Sequence, residues 1–472
     1  MKTKLLAAFL FSICTLAGFA QTGNIQRLAG SWMGSVDVNS IPLRVIFKFK
    51  INGDTVTVTL DSPDQGAKNI PLKGGKIVGD SVFIDAPNLR GSYLGIMQPG
   101  DSLINGTWTQ AGIARALTLH HLAREFVMNR PQEPKEPFPY QSEDLVFKNE
   151  KAGIDLAGTL TLPQGKGPFP AVVLVTGSGP QNRNEELLGH KPFLLISDYL
   201  TRNGIAVLRF DDRGTFKSKG SFADATTFDF ADDAEAAFDY LLGRKEIDPH
   251  KIGIAGHSEG GMIAPIVAAR NSKVAFIILL AGPGTTGEEI LIQQERLISK
   301  AMGLSDDKIL ETRKENEKIF SVLKTEPDFN KAAKAITAML EADIDSLKDT
   351  SAEDKTKARK NILTALMQVN NKWFRTFLVF DPHVYLKQVK CPVLALNGEN
   401  DLQVPCDENI GEIEKTLKKA GNRKVTVKKF PGLNHLFQHS ATGLPSEYGK
   451  IEETMSPEVL QVMKDWVLKV TK

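Results

Sequence analysis

The chain has 472 residues, 42% hydrophobic and 24% charged, room for two to four domains at roughly 100–200 residues each. That composition excludes a fibrous or wholly disordered protein. Lys and Arg number 58 against 56 Asp and Glu, and setting aside Lys2 and Lys4 leaves 56 against 56; with no basic block along the chain, a nucleic-acid partner is not expected.

Met1 to Ala20 reads MKTKLLAAFLFSICTLAGFA. Two lysines precede an apolar run from Leu5, and Gly18-Phe19-Ala20 forms a small-x-small site before Gln21. This is the three-part plan of a secretory signal peptide. The run is about 16 residues, short of the roughly 20 that a membrane span needs. A lipid anchor on Cys14 is disfavoured, because bulky Phe11 and Ile13 stand where a lipobox takes an aliphatic and a small residue. Cleavage near Ala20 and export to the periplasm or beyond are expected, with no membrane span in the mature chain.

Residues 25–124 alternate β-rich runs with turn signals. Leu43–Ile51 and Thr55–Leu60 flank Asn52-Gly53-Asp54, a hairpin signal. Ser81–Asp85, Leu89–Met97, Ser102–Thr109 and Ala114–Leu119 follow. Seven to nine strands in about 95 residues predict an antiparallel barrel or sandwich. Gly30-Ser31-Trp32 resembles the start of lipocalin-like barrels. His120 and His121 are adjacent, so on a strand they point to opposite faces and suit a strand end better than a metal site. Pro131, Pro134, Pro137 and Pro139, beside charged Glu133, Lys135 and Glu136, mark residues 125–142 as an extended linker.

From 143 to 472 the pattern changes. Ala171–Thr176, Ile205–Phe210, Lys251–Ala255, Phe276–Ala281, Val393–Asn397 and Val425–Phe430 read as strands. Helical stretches fall around 190–203, 228–243, 260–270, 408–420 and 457–470. Apolar strands alternating with amphipathic helices predict an α/β fold, a mostly parallel sheet covered on both faces. Residues 284–390 are charged, helix-prone and free of convincing strands, and are read as a helical cap over the sheet. The competing reading is a separate helical domain. Beyond the leader only Cys391 and Cys406 occur. The strand Val393–Leu396 carries the chain away from Cys391 at about 3.3 Å per residue, past the roughly 7 Å limit for a bridge, so two free thiols are expected. No Cys/His spacing suggests a zinc site.

Within this region Lys251–Gly261 reads KIGIAGHSEGG. A strand runs into Gly256-His257-Ser258-Glu259-Gly260 and a helical pattern opens at Gly261, the context of a Gly-x-Ser-x-Gly nucleophile elbow. Ser258 would occupy a tight turn that side chains two positions either way would crowd. A serine hydroxyl needs a base, and the base an orienting acid. Where this elbow is used the chain order is Ser, acid, His, which leaves His383, His435 and His439. His435 follows the last predicted strand on a loop at the sheet edge and is the choice. Asp401, just beyond Val393–Asn397, is the acid, with Glu399 as its rival; Ala281–Gly284, the other strand end, has no carboxylate before Glu288. A tetrahedral intermediate needs two N–H donors. Glu259 supplies one and Ser178, in Val175-Thr176-Gly177-Ser178-Gly179-Pro180, the other. Gly177-Ser178-Gly179 is not a dinucleotide fingerprint, since Asn182 stands where its third Gly belongs.

Together these residues resemble the α/β-hydrolase superfamily over about 143–472, and within it secreted bacterial esterase-type hydrolases related to serine aminopeptidases and the prolyl oligopeptidase group. Thr176 replaces the histidine that often precedes the oxyanion glycine. Asp211-Asp212-Arg213-Gly214 is similar to the family's Asp-x-Arg-Gly-x-Gly-x-Ser loop, with Phe216 where the second Gly usually falls and an Arg213 ion pair expected to brace the loops. The resemblance implies a secreted carboxylesterase with a Ser258, Asp401 and His435 triad, no metal or organic cofactor, and a small ester or peptide as substrate. A serine peptidase, perhaps of aminopeptidase type, and a non-catalytic binding protein on the same fold are the alternatives. Glu259, Arg183 and Arg213 are either pocket residues or structural charges.

Overall fold

The computed structural model describes residues 25–38, 41–53, 55–346 and 351–472; the leader read at 1–20 lies outside them. The chain divides into two units, Met1–Met128 and Asn129–Lys472. Among the described residues no helix is long and apolar enough to cross a membrane.

Among its described residues the first unit holds nine strands: β1 (Gly30–Val38), β2 (Ile41–Asn52), β3 (Thr55–Ser62), β4 (Ala67–Pro71), β5 (Gly74–Val78), β6 (Ser81–Ala86), β7 (Gly91–Met97), β8 (Leu103–Gln110) and β9 (Ile113–Leu122). They form one antiparallel half-barrel sheet in the order β4-β3-β2-β1-β9-β8-β7-β6-β5, so the expected barrel or sandwich is realised as a single sheet. Period-two burial is clearest in β7, where Tyr93, Gly95 and Met97 face inward and Ser92, Leu94 and Ile96 outward. Trp32, Phe47, Tyr93 and Trp108 fill the inner face, and the Trp32 indole donates to Leu28 O at 2.9 Å. His121 lies within β9 with Nε2 3.1 Å from Ala29 O and its ring edge-on to Trp32.

The second unit is built on an eight-stranded sheet of β10 (Gln141–Asn149), β11 (Ile154–Leu162), β12 (Phe169–Val175), β13 (Ala206–Phe210), β14 (Ile247–His257), β15 (Phe276–Leu280), β16 (Val393–Gly398) and β17 (Val425–Phe430). Its order is β10-β11-β13-β12-β14-β15-β16-β17. From β13 onward neighbours are parallel, while β10 and β11 add an antiparallel edge. Central strands are buried on both faces: in β12, Val173 and Val175 enter one core and Val172 and Leu174 the other. The first core receives α2 (Thr227–Leu242), α3 (Gly260–Arg270) and α10 (Cys406–Lys419); the second receives α1 (Pro192–Arg202) and α12 (Pro457–Val470).

Among the described residues the elements between β15 and β16 are all helices: α4 (Gly287–Ala301), α5 (Asp306–Thr325), α6 (Phe329–Ser346), α7 (Ala352–Val369), α8 (Lys372–Leu378) and α9 (His383–Leu386). Their starts carry strong caps. Thr286 and Glu289 form a capping box on α4, and Ser305, Ser351 and Asn371 accept N–H groups at the starts of α5, α7 and α8. They enclose a core of Phe320, Leu323, Ile336, Leu366, Phe374 and Leu378. Residues 129–140, read above as linker, are pinned within the second unit. Arg130 donates to the carbonyls of Leu188, Gly449 and Ile451, and Tyr140 to Asp198 at 2.9 Å. Cys391 and Cys406 are free thiols, pushed up to about 12 by burial.

Candidate active site

The chain leaves β12 toward β13 on one side and later returns to β14 on the other, so the sheet order reverses between β12 and β14. In open α/β sheets that reversal opens a crevice at the carboxyl ends of the strands. Ser258 sits there, between β14 and α3, half-buried and with φ +52°. A left-handed conformation is unfavourable for a residue with a Cβ, and two close approaches hold it. A Cβ on Gly256 would lie 1.9 Å from Gly260 O, and one on Gly260 would lie 2.2 Å from Val175 O. Ser258 N–H donates to Leu280 O at 2.8 Å, tying the turn to β15.

His435 and Asp401 come from the loops after β17 and β16 and meet, with Nδ1 2.7 Å from Asp401 Oδ2. His435 is 5% and Asp401 2% exposed. The other Asp401 side-chain oxygen accepts N–H from Gln403 and Val404, each at 2.8 Å, which fixes the side chain's orientation. The rivals are engaged elsewhere: His383 with Asp381 at 2.6 Å, His439 with Glu453 at 2.8 Å. Glu399 is exposed.

The link from the elbow to His435 is His257. Its Nε2 lies 3.0 Å from His435 O and its Nδ1 2.9 Å from Glu185 Oε1, with the two imidazoles 4.8 Å apart. A carbonyl only accepts, so Nε2 carries a proton, and Glu185 holds the opposite ring nitrogen. Burial opposes a charge on the ring, but the Glu185 carboxylate and the His435 carbonyl outweigh it and raise the His257 pKa. The same Glu185 oxygen accepts Gly177 N–H at 2.8 Å. Gly177 is therefore spent as a donor, while Ser178 and Glu259 N–H have no protein acceptor among the described residues. Gly177 itself lies against the serine: a Cβ there would be 3.2 Å from Ser258 Cβ.

Buried carboxyls brace this crevice. Asp212 accepts from Thr176 Oγ1 at 2.7 Å and from Gln181 N–H at 2.9 Å, fixing both ends of the loop after β12. Arg213 pairs with Asp233 at 2.6 Å and is a structural brace. Phe216 adopts φ +44°, the conformation a glycine would take at that position. Arg183 is bound to Asp211 at 2.8 Å. Glu259, 3% exposed, accepts from Thr227 Oγ1 at 2.6 Å and from the Trp373 indole at 2.8 Å, so the residue after Ser258 is tied to cap helix α8. Among the described residues no cluster of metal-ligating side chains occurs. Sequence reasoning missed Glu185 and Trp373, and gave Asp212, seen within the Asp211–Gly214 motif, no role of its own. His257 was visible in the motif, but no local signal named its partners.

Residues 152–430 match the X-Pro dipeptidyl-peptidase (S15) family. Over 340 residues the chain is 28% identical to Esterase EstD of Thermotoga maritima, covering 71% of this chain and 69% of that protein. Among solved structures it is similar to an esterase of Pyrococcus furiosus, at 14% identity and a TM-score of 0.42, over 74% of this chain and 98% of that one. A proline iminopeptidase of Mycobacterium smegmatis aligns at 16% identity and a TM-score of 0.42, over 70% of this chain and 99% of that one.

Proposed function

The chain belongs to the X-Pro dipeptidyl-peptidase (S15) family, matched over residues 152–430, and is a hydrolase of the α/β type; from that premise we propose that it cleaves carboxylic esters through an acyl-enzyme on Ser258. The observation that carries this reading is the left-handed Ser258, tied through His257 to a buried His435–Asp401 pair. The 28% identity to an esterase over 340 residues favours esters as the bond attacked.

In this mechanism His435 takes the Ser258 proton at Nε2, the nitrogen opposite the one held by Asp401, as Oγ attacks the carbonyl carbon. The N–H groups of Ser178 and Glu259 receive the oxyanion, assisted by the positive end of α3. His435 then protonates the leaving alcohol, activates water and returns its proton to Ser258 as the acyl group leaves. Asp401 holds the tautomer and stabilises the imidazolium. The cap selects the groups that enter, and the first 20 residues direct export. A second reading, cleavage of an amide behind a free amino terminus, is favoured by the family match.

The test is hydrolysis of short and long p-nitrophenyl esters beside aminoacyl- and X-Pro-nitroanilides, with wild type and Ser258→Ala. Ester turnover that falls by about 10⁴-fold or more in the variant, with the anilides inert, is the expected result. Anilide turnover needing a free amine replaces the ester reading with the peptidase one. Equal ester rates in both proteins overturn Ser258 as the nucleophile.

A further inference from the structure

Every residue of β13 is buried, including Arg209, which is 4% exposed. A charge so placed is normally paired, because its desolvation costs several kcal/mol. No direct ion pair to Arg209 occurs among the described residues. Among the described residues its guanidinium has one hydrogen-bond partner, the neutral side-chain oxygen of Asn184, and its Nε is buried with none.

The neighbouring acids are committed elsewhere. Asp211 accepts Arg183 Nε and Nη2 at 3.1 and 2.8 Å, and the N–H groups of Arg183 and Lys217 at 2.8 and 3.3 Å. Asp144 accepts Thr159 at 2.6 Å, Arg183 at 3.1 Å and Lys217 at 3.5 Å. The Tyr140 hydroxyl is given to Asp198. Glu136 stands on the exposed rim of the same groove. Burial lowers the Arg209 pKa to about 10, so the side chain stays cationic at neutral pH.

Arg209 lines an open groove of about 380 Å³ together with the committed acids Asp144 and Asp211, the rim carboxylate Glu136, and Asn184, Phe138 and Phe216. Phe216 is 72% exposed and sits at φ +44°. A large apolar ring is thus held out over the groove in a conformation that disfavours it. Asp144 and Asp211 attract the guanidinium without a hydrogen bond to it, and its Nε stays without a partner among the described residues.

We propose that this groove binds a small organic anion, a carboxylate carried on an apolar body, with Arg209 receiving the carboxylate and Phe138 and Phe216 receiving the body. A guanidinium suits the role because its planar fork matches two carboxylate oxygens. The site is distinct from Ser258 and the inference does not depend on the reaction catalysed there.

The probes are sodium benzoate and inorganic phosphate, followed by thermal unfolding and calorimetric titration of the full chain against sodium chloride at equal ionic strength. Benzoate is expected to raise the melting temperature saturably, by about 2 °C or more, and phosphate to do less. Arg209→Met removes the unpaired charge; it is expected to melt no lower than wild type without anion and to lose the benzoate response. Phe216→Ala alters an exposed residue and keeps the test open should Arg209→Met fail to fold; it is expected to weaken benzoate binding by about tenfold. No saturable benzoate response, a response that survives Arg209→Met, or phosphate acting as strongly as benzoate would each overturn the proposal.

Discussion

Asp212 shows how much of the candidate site rests on carboxyls that never meet substrate in the proposed mechanism. It is buried with Glu259 and Glu185 as like-charged neighbours; burial first, then their repulsion, pushes it up to about 8 despite bonds from Thr176 and Gln181. In the unfolded chain it would titrate near 4. Both states are therefore protonated below about pH 4. Between about 4 and 8 only the unfolded state ionises, and the folded state loses stability as pH rises toward the folded pKa. Asp212→Asn removes that dependence. Urea unfolding at pH 5 and pH 8 should show the stability difference moving in the variant's favour by up to about 4 kcal/mol; parallel curves would mean that Asp212 is ionised in the fold. Ser258, Asp401 and His435 were proposed from sequence because each stands on the loop that follows a strand, where chain order and local residue types carry information. Glu185 could not be, since its partner His257 lies 72 positions away and nothing in an Asn- and Glu-rich loop marks which carboxylate turns inward.

At the scale of elements, the contact between α8 and the elbow has no local signature either. Trp373 and Glu259 are 114 positions apart, and a tryptophan in an amphipathic helix reads as core. The indole stacks on Phe377 with ring centroids 5.4 Å apart while its N–H reaches Glu259. Trp373→Phe keeps an aromatic ring there and removes the donor, leaving Thr227 alone on a buried carboxyl. The cost of an unmet buried polar group is about 1–3 kcal/mol, to be read as a lower urea midpoint at unchanged m. A loss under about 0.5 kcal/mol would show that water replaces the indole. The five central strands β12 to β16 were legible because strands buried on both faces read as apolar runs, and edge strand β17 and the five flanking helices by their alternation with them. β10 was not: as an edge strand it carries Glu143, Asp144 and Lys148 and exposes most of its residues, which guards against edge pairing but erases the apolar signal. Residues 129–140 misled in the opposite direction. Their prolines signal a spacer, whereas the side chains of Arg130 and Tyr140 bind them into the second unit.

For the whole molecule, the composition change near residue 130 coincides with a division of labour between cores. Trp32, Phe47, Tyr93 and Trp108 belong to a cluster confined to the first unit. The sheet and cap clusters draw only on the second. Ser178, Ser258, Asp401 and His435, with Glu185, His257 and Asp212 beside them, all lie in that second unit. A unit with its own core and every site residue meets the physical requirement for independent folding. Residues 129–472 expressed alone are therefore expected to unfold cooperatively and to retain ester turnover, with kcat/KM within about threefold of the longer chain, since a factor of three is under 1 kcal/mol of transition-state stabilisation. Calorimetry and p-nitrophenyl ester kinetics on both proteins measure it. A well-folded fragment that lost more than about tenfold would assign the nine-stranded sheet a part in catalysis, which neither its residues nor its core otherwise suggest.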